Sequence, residues 1–221
     1  MTDDLDAVGT ADVDVAVVVA YGRIIPTSLL EAVSFVNIHF SLLPRWRGPA
    51  PVERAILAGD ETTGVCLMDV AVELDTGAVY RRAETPIGPD ETLNELRGRL
   101  VDLGTEQLLD ALAAGFGNPV PQRGEPHHAA KITTAEREID WAQSAVAVHR
   151  RVRVGGAFTT RNGKRLKVHR TGIDPSAAGV VVPTGDGSIE LLEVQPEGKP
   201  RMDASAWANG ARWSPGERLG T

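Results

Sequence analysis

Apolar positions along this chain follow two different periods, and the change between them marks its organisation. In the first half, residues 13–20, 35–40 and 63–71 are short apolar runs rich in Val, Ile and other apolar residues, with no helical repeat. Such runs predict strands buried on both faces of a sheet. Between the first two, Pro26 and Thr27 open a helix that runs to Ala32. After the second, residues 49–59 predict another helix, with Pro49 in its first turn, Val52, Ala55 and Ile56 at helical spacing, and Gly59 as the stop. Residues 78–87 read as a fourth strand. A long helix follows over 89–114, in which Leu93, Leu96, Leu100, Leu103, Leu108, Leu109 and Leu112 form a stripe expected to pack in the core. Strands alternating with helices predict an α/β domain built on a parallel sheet.

Residues 115–130 are rich in Pro and Gly and predict a boundary. The expected division is a first domain over 1–120, a linker over 121–132 and a second domain over 133–221. In the second, Thr133 and Glu136 have the spacing of a capping box, and Ser144 opens a helix to about Val152. Short strands are then expected at 157–160, 165–169, 179–182 and 189–194, punctuated by Asn162-Gly163 and Asp186-Gly187 turn signals. Such spacing predicts a small antiparallel β-barrel, with a helix over 203–212 carrying Trp207 as its lid.

Composition narrows the class. A chain of 221 residues that is 42% hydrophobic and 24% charged is an ordinary globular protein, neither disordered nor collagen-like. No apolar run is long enough to span a bilayer, and the start is acidic (Asp3, Asp4, Asp6) where a secretory signal is basic; no membrane association and a cytoplasmic location are expected. The single Cys66 forbids an intrachain disulfide and reads as a small buried strand residue. The net charge of −7 disfavours a polyanion overall, and no DNA partner is expected. The distribution of charge changes that picture locally: residues 149–170 carry Arg150, Arg151, Arg153, Arg161, Lys164, Arg165, Lys167 and Arg170 and no acid. A basic face of that kind suits RNA phosphates, and a solvated strand pair is the plainer alternative.

The candidate chemistry lies at the end of the second strand. In an extended segment Asn37 and His39 share one face, and ligand sites in parallel sheets lie beyond the carboxyl ends of the strands. Asp75 follows in a loop, just ahead of Gly77. An amide can donate to a developing oxyanion, a neutral imidazole can accept a proton, and a carboxylate can orient the imidazole or a bridging water. The alternative is that the three simply satisfy loop backbone groups. Ser41 is not in a nucleophile elbow, so the set suits direct transfer to an external nucleophile. His127 and His128 are adjacent and do not share a face, and no metal site is expected.

The motif Asn37-x-His39-x-Ser41-Leu42-Leu43-Pro44-Arg45-Trp46-Arg47-Gly48-Pro49-Ala50-Pro51, followed by Gly59-Asp60-x-x-Thr63-Gly64-Val65 and Leu74-Asp75-Thr76-Gly77, resembles the methionyl-tRNA formyltransferase family. The HxSLLP and LDTG elements are shared with the wider folate-dependent formyl transferases and hydrolases. Ile139-Asp140-Trp141, Gly163-Lys164-Arg165-Leu166-Lys167-Val168 and Gln195-Pro196-x-Gly198-Lys199-x-x-Met202 continue the likeness almost to the end. The resemblance implies formyl transfer from 10-formyltetrahydrofolate to the amino group of initiator methionyl-tRNA. It assigns Asn37 and His39 to polarising the formyl carbonyl and Asp75 to proton removal. Ser41, Leu42, Leu43 and Pro44 would line the folate site, with Gly22, Arg23, Ile24 and Ile25 as pterin contacts and Val72, Glu73 and Leu74 as the opposite wall. Arg45, Arg47, Arg150, Arg151, Arg153, Lys164, Arg165 and Lys167 would meet tRNA. The implied fold is a Rossmann-like parallel sheet followed by an OB-like barrel, monomeric in its full-length form.

The chain departs from the family in one large respect. Family members carry further βα units and a glycine-rich turn ahead of the counterpart of residues 13–20, about 60 to 80 residues at about 30 residues per βαβ unit. That strand is then expected to be an exposed apolar edge. Two alternatives to the leading reading follow: an inactive truncated remnant that binds folate or RNA, as expected if the gene is degraded, and another folate-dependent formyl transferase or hydrolase; a start placed too late is expected instead to leave a longer, complete enzyme.

Overall fold

In the computed structural model, which describes all residues except 1–3, 10, 11, 20, 22, 177, 178 and 215, the apolar runs of the first half become one four-stranded sheet. The chain divides into two units, the first of residues 1–55, 60–87 and 94–131, the second of 132–221 with 56–59 and 88–93. The first eight elements are α1 (Leu5–Gly9), β1 (Ala16–Val18), α2 (Thr27–Ala32), β2 (Phe35–His39), α3 (Pro51–Ala58), β3 (Thr62–Asp69), β4 (Val79–Pro86) and α4 (Leu93–Ala114).

The sheet order is β1-β2-β3-β4, with β1 parallel to β2 and the other two pairs antiparallel. The sheet is thus mixed. Continuous apolarity reports burial on both faces and carries no information on strand direction, so the pattern does not distinguish the β3–β4 hairpin from a parallel pair. Six consecutive buried residues of β3, Thr63 to Met68, mark it as the centre of this sheet. β1 is shorter than the apolar run that contains it, and among the described residues it pairs only with β2.

Helix α4 lies close to β2 because Gly104 has no side chain: a Cβ there would sit 2.8 Å from Cγ2 of Ile38. Ile38 joins Val36, Leu67 and Ala111 in one buried cluster, and Leu43, Cys66 and Met68 form another. The leucine stripe splits: Leu96 and Leu100 are fully buried, but Leu109 and Leu112 are 60% and 51% exposed. The buried face of α4 carries Leu96, Leu100, Gly104 and Ala111 at helical spacing, and Leu109 and Leu112 lie off that face. Cys66 is buried as expected, and burial pushes its thiol pKa up.

The second unit contains a 3-10 turn (Ala135–Arg137), α5 (Ala145–Val154), β5 (Phe158–Arg161), β6 (Lys164–Gly172), β7 (Val180–Pro183), β8 (Ser188–Pro196), β9 (Met202–Asp203) and α6 (Ala204–Ala211). Its antiparallel sheet has the order β5-β6-β8-β7, with β9 on β8, and so forms a half-barrel. The core takes Val148 and Val152 from α5, Leu166 and Val168 from β6, Ile189, Leu191 and Val194 from β8, and Trp207 from α6. Local signals operate as their chemistry requires. The Thr133 hydroxyl accepts from Glu136 N–H at 3.2 Å while the Glu136 carboxylate accepts from Thr133 N–H at 3.0 Å. Ser144 caps α5 by accepting from Ala147 N–H at 3.1 Å. Asn162 and Gly163, at φ 52° and 72°, turn β5 into β6. Among the described residues no helix is long and apolar enough to cross a membrane.

Candidate active site

Strand β2 ends at His39, and residues 40–50 fold back over its end. Ser41, 1% exposed, holds that turn: its hydroxyl donates to the Arg45 carbonyl at 2.6 Å. The Arg82 guanidinium donates to the Leu43 carbonyl, and the Leu43–Pro44 bond is cis. Ser41 is therefore engaged by the loop backbone, in keeping with the absence of a nucleophile elbow.

His39 is 5% exposed and sits between two loops. Its Nε2 lies 2.9 Å from the Trp46 carbonyl and its Nδ1 lies 3.6 Å from Oδ2 of Asp75. A carbonyl oxygen can only accept, so Nε2 carries a proton toward Trp46, and Nδ1 faces the Asp75 carboxylate. The same Oδ2 accepts from Gly48 N–H at 2.7 Å. Asn37 is partly buried two residues before His39 on the same face of β2. The two loops that make this geometry use left-handed backbone at Trp46 (φ 64°) and Asp75 (φ 54°), conformations that cost a non-glycine residue about 1–2 kcal/mol and persist only where surroundings hold them.

Those surroundings include Asp60 and Gln122. Asp60 accepts from Arg45 Nε and Nη2 at 2.8 and 2.6 Å and from Trp46 Nε1 at 2.7 Å. Burial works to raise the Asp60 pKa, but the Arg45 and Trp46 bonds outweigh it and hold the carboxyl below its ordinary value. Of residues 121–132, expected as a linker, those through Lys131 fall in the first unit. Val120 pairs with Val79, Arg47 N–H donates to the His127 carbonyl at 2.8 Å, and Ala129 N–H donates to the Arg47 carbonyl at 2.6 Å. Gln122 reaches both Arg47 and the Asp75 loop. Proline and glycine content reports the lack of helix or ladder and not freedom from the domain, so the composition predicts a connection where the structure has a strap.

The remaining expected site residues fall into three groups. Leu43 is fully buried and belongs to the core, while Leu42 and Pro44 are partly buried on the same loop. Ile24, Val72 and Leu74 are 90%, 72% and 65% exposed, Arg23 and Glu73 are exposed, and Ile25 is partly buried. Gly22 lies outside the described residues.

The arginines and lysines expected to meet RNA divide sharply. Arg45 and Arg47 commit their Nε edges to Asp60 and Gln122, so both anchor the loop. Arg151 donates to the carbonyls of Glu136 and Glu138, and Arg150 lies over Gly59, where any Cβ would strike its guanidinium. Arg153 is 8% exposed and donates to the carbonyls of Glu91 and Gly88, so it is a buried strut. Helix periodicity turns residue 153 toward the same side as His149, which the charge run could not reveal. Lys164, Arg165 and Lys167 are exposed on β6, with Arg165 over the Phe158 ring at 3.6 Å.

Comparison with known families places this fold: residues 2–112 match the formyl transferase family and residues 131–212 the formyl transferase C-terminal domain. The methionyl-tRNA formyltransferase of Jannaschia sp. is 42% identical over 234 residues, covering 99% of this chain and 77% of that protein. The chain belongs to the methionyl-tRNA formyltransferase family. Solved structures agree in fold. The methionyl-tRNA formyltransferase from Clostridium thermocellum superposes with a TM-score of 0.68 at 19% identity, covering 87% of this chain and 82% of that one. HypX from Aquifex aeolicus, solved in complex with tetrahydrofolic acid, gives 0.70 at 20% identity over 97% of this chain, which spans 41% of HypX.

Proposed function

We propose that this protein transfers a formyl group from 10-formyltetrahydrofolate to the α-amino group of methionine on initiator tRNA, in the cytoplasm. The observation that carries the reading is the His39–Asp75 pair, with one imidazole nitrogen closed by Trp46 and the other facing a carboxylate. The 42% identical relative is named for methionyl-tRNA, and the tetrahydrofolic acid in HypX supports a folate co-substrate. Exposed apolar Val72 and Leu74, on the loop that carries Asp75, suit the flat ring system of a folate.

The co-substrate supplies a formyl carbonyl on a nitrogen able to leave. Asn37 donates an amide N–H to the carbonyl oxygen as negative charge gathers there. His39 has spent its Nε2–H on Trp46, so it acts through Nδ1 and takes the proton of the incoming amine. Asp75 stabilises the imidazolium formed, and that proton then passes to the leaving nitrogen. One carbon–nitrogen bond forms and one breaks, with no net change in protons. This allocation sharpens the role implied by resemblance, since carbonyl polarisation falls to Asn37 and proton transfer to His39 with Asp75.

The test incubates purified protein and 10-formyltetrahydrofolate with methionyl-tRNA, with an amino-sugar nucleotide, or with water as the only acceptor. Formylated methionyl-tRNA is the expected product, and His39→Ala is expected to lower kcat by about 10²–10⁴-fold. Undiminished turnover in that variant would sink the mechanism, and product only in the second or third mixture would replace the acceptor.

A further inference from the structure

Gln122 uses all of its hydrogen-bonding capacity between the two loops that build the site. Its Nε2 donates to the Asp75 carbonyl at 2.8 Å and to the Gly77 carbonyl at 2.9 Å. Its Oε1 accepts from Arg47 Nε at 3.0 Å and Arg47 Nη2 at 2.6 Å. A primary amide has two N–H donors and two acceptor lone pairs, so no hydrogen-bonding position is left over. A side chain with every position engaged this way is fixed in rotamer and orientation.

We infer that Gln122 is a positioning residue that sets where the Asp75 carboxylate stands against His39. Asp75 needs such a hold because its backbone is left-handed at φ 54°. It is held at two points: the carbonyl by Gln122 and the carboxylate by Gly48 N–H, the residue after Arg47. Arg47 and Gly48 are adjacent, so the Gln122–Arg47 bonds also hold the donor of the second contact. The far end of the loop is held against β3 at Gly77, where any Cβ would strike the Asp69 carbonyl oxygen. The 3.6 Å separation of Nδ1 and Oδ2 therefore depends on a residue that belongs to neither loop. A displacement near 1 Å in a reacting constellation costs about 10²-fold in rate.

This inference rests on the formyl-transfer reading for its kinetic consequence, and one arm of its test does not. Gln122→Glu keeps the acceptors for Arg47 and removes the donors to the Asp75 and Gly77 carbonyls. The expected result is a kcat lower by about 10- to 100-fold per folded molecule, with KM for both substrates within about twofold. In the second arm, the Gly48 amide proton resonance, which reports the bond to Asp75, moves in the variant in the absence of any substrate. An unchanged kcat, a loss confined to KM, or an unmoved Gly48 resonance each overturns the inference. A wild-type protein that transfers no formyl group defeats the functional reading alone, and the resonance then decides the positioning role. If Gln122→Glu does not fold, Gln122→Met, of similar length and without either polar group, is measured in its place.

Discussion

His149 is the buried histidine that the proposed chemistry does not use, and it sets a pH limit on the second unit. It is 2% exposed. Its Nε2 lies 3.2 Å from the Pro89 carbonyl and 3.2 Å from Asp90 Oδ1, and its Nδ1 lies 2.9 Å from the Thr171 hydroxyl. Pro89 can only accept, so neutral His149 donates from Nε2 and accepts the Thr171 proton at Nδ1. Burial depresses its pKa below the ordinary 6.5; the Pro89 bond and Asp90 oppose that, and Arg153 adds to it. The unfolded chain therefore takes up this proton first as pH falls. The linkage sign follows: His149 leaves stability untouched above about pH 6.5 and removes it progressively below, down to the folded-state pKa. Thermal unfolding midpoints are expected to fall between about pH 7.5 and 5.5 in the wild type, and to fall less steeply in His149→Gln. Equal slopes in the two proteins would show that another group carries the dependence. At this scale Asn37 and His39 are legible as candidates from residue type and a strand's period of two, and Asp75 from its place in a loop ahead of Gly77. The sequence does not display what occupies Nε2 of His39. The Trp46 carbonyl lies seven residues on, and its arrival depends on a left-handed residue and a buried Ser41.

Helix α5 and strand β6 present the same charges in sequence and opposite fates in structure. On α5, Arg151 and Arg153 donate to backbone carbonyls, and α5 is thereby tied to the 3-10 turn and to residues 88–91. On β6, Leu166 and Val168 enter the core while Lys164, Arg165 and Lys167 stay exposed, as a period of two requires. A charge run alone cannot separate these cases, since the sorting comes from which face each element buries. The capping box at Thr133 and the Asn162-Gly163 turn are legible because each is settled within four residues. The Gln122 strap is not, since its partners lie 45 to 75 residues away. For RNA binding the elements predict different outcomes. Replacing Lys164 and Lys167 by Gln is expected to reduce the slope of log affinity against log salt for methionyl-tRNA by about 0.7–0.9 for each phosphate no longer neutralised, with no change in melting temperature. Arg153→Gln is expected to lower melting temperature and leave the salt slope intact. Titration of labelled tRNA over a salt series reads the first, and an unaltered slope in the lysine double variant would remove β6 from the interface.

Across the whole molecule, the first unit's sheet has one feature that its core does not resolve. β1 pairs on one side with β2 and on the other with no strand among the described residues. Val13, Val17 and Val19 there are 49%, 38% and 52% exposed. An edge strand with free backbone donors and acceptors and exposed β-branched side chains is a template for pairing with another chain. Charged side chains, bulges or covering loops usually blunt such an edge, and 13–19 offers a single carboxylate, Asp14, among Val and Ala. The same feature is expected from the family resemblance, because family members carry further βα units ahead of this strand. The expected consequence is reversible self-association of this chain through β1, measured as a weight-average mass that climbs with protein concentration. Val17→Lys places a charge on that edge and is expected to flatten the climb. The substitution lies on a strand that contributes no side chain to the His39–Asp75 pair, so formyl transfer per folded molecule is expected to persist. A concentration dependence that survives Val17→Lys would place the contact elsewhere on the surface, and a mass constant in the wild type would mean that the edge is sterically or electrostatically protected in solution.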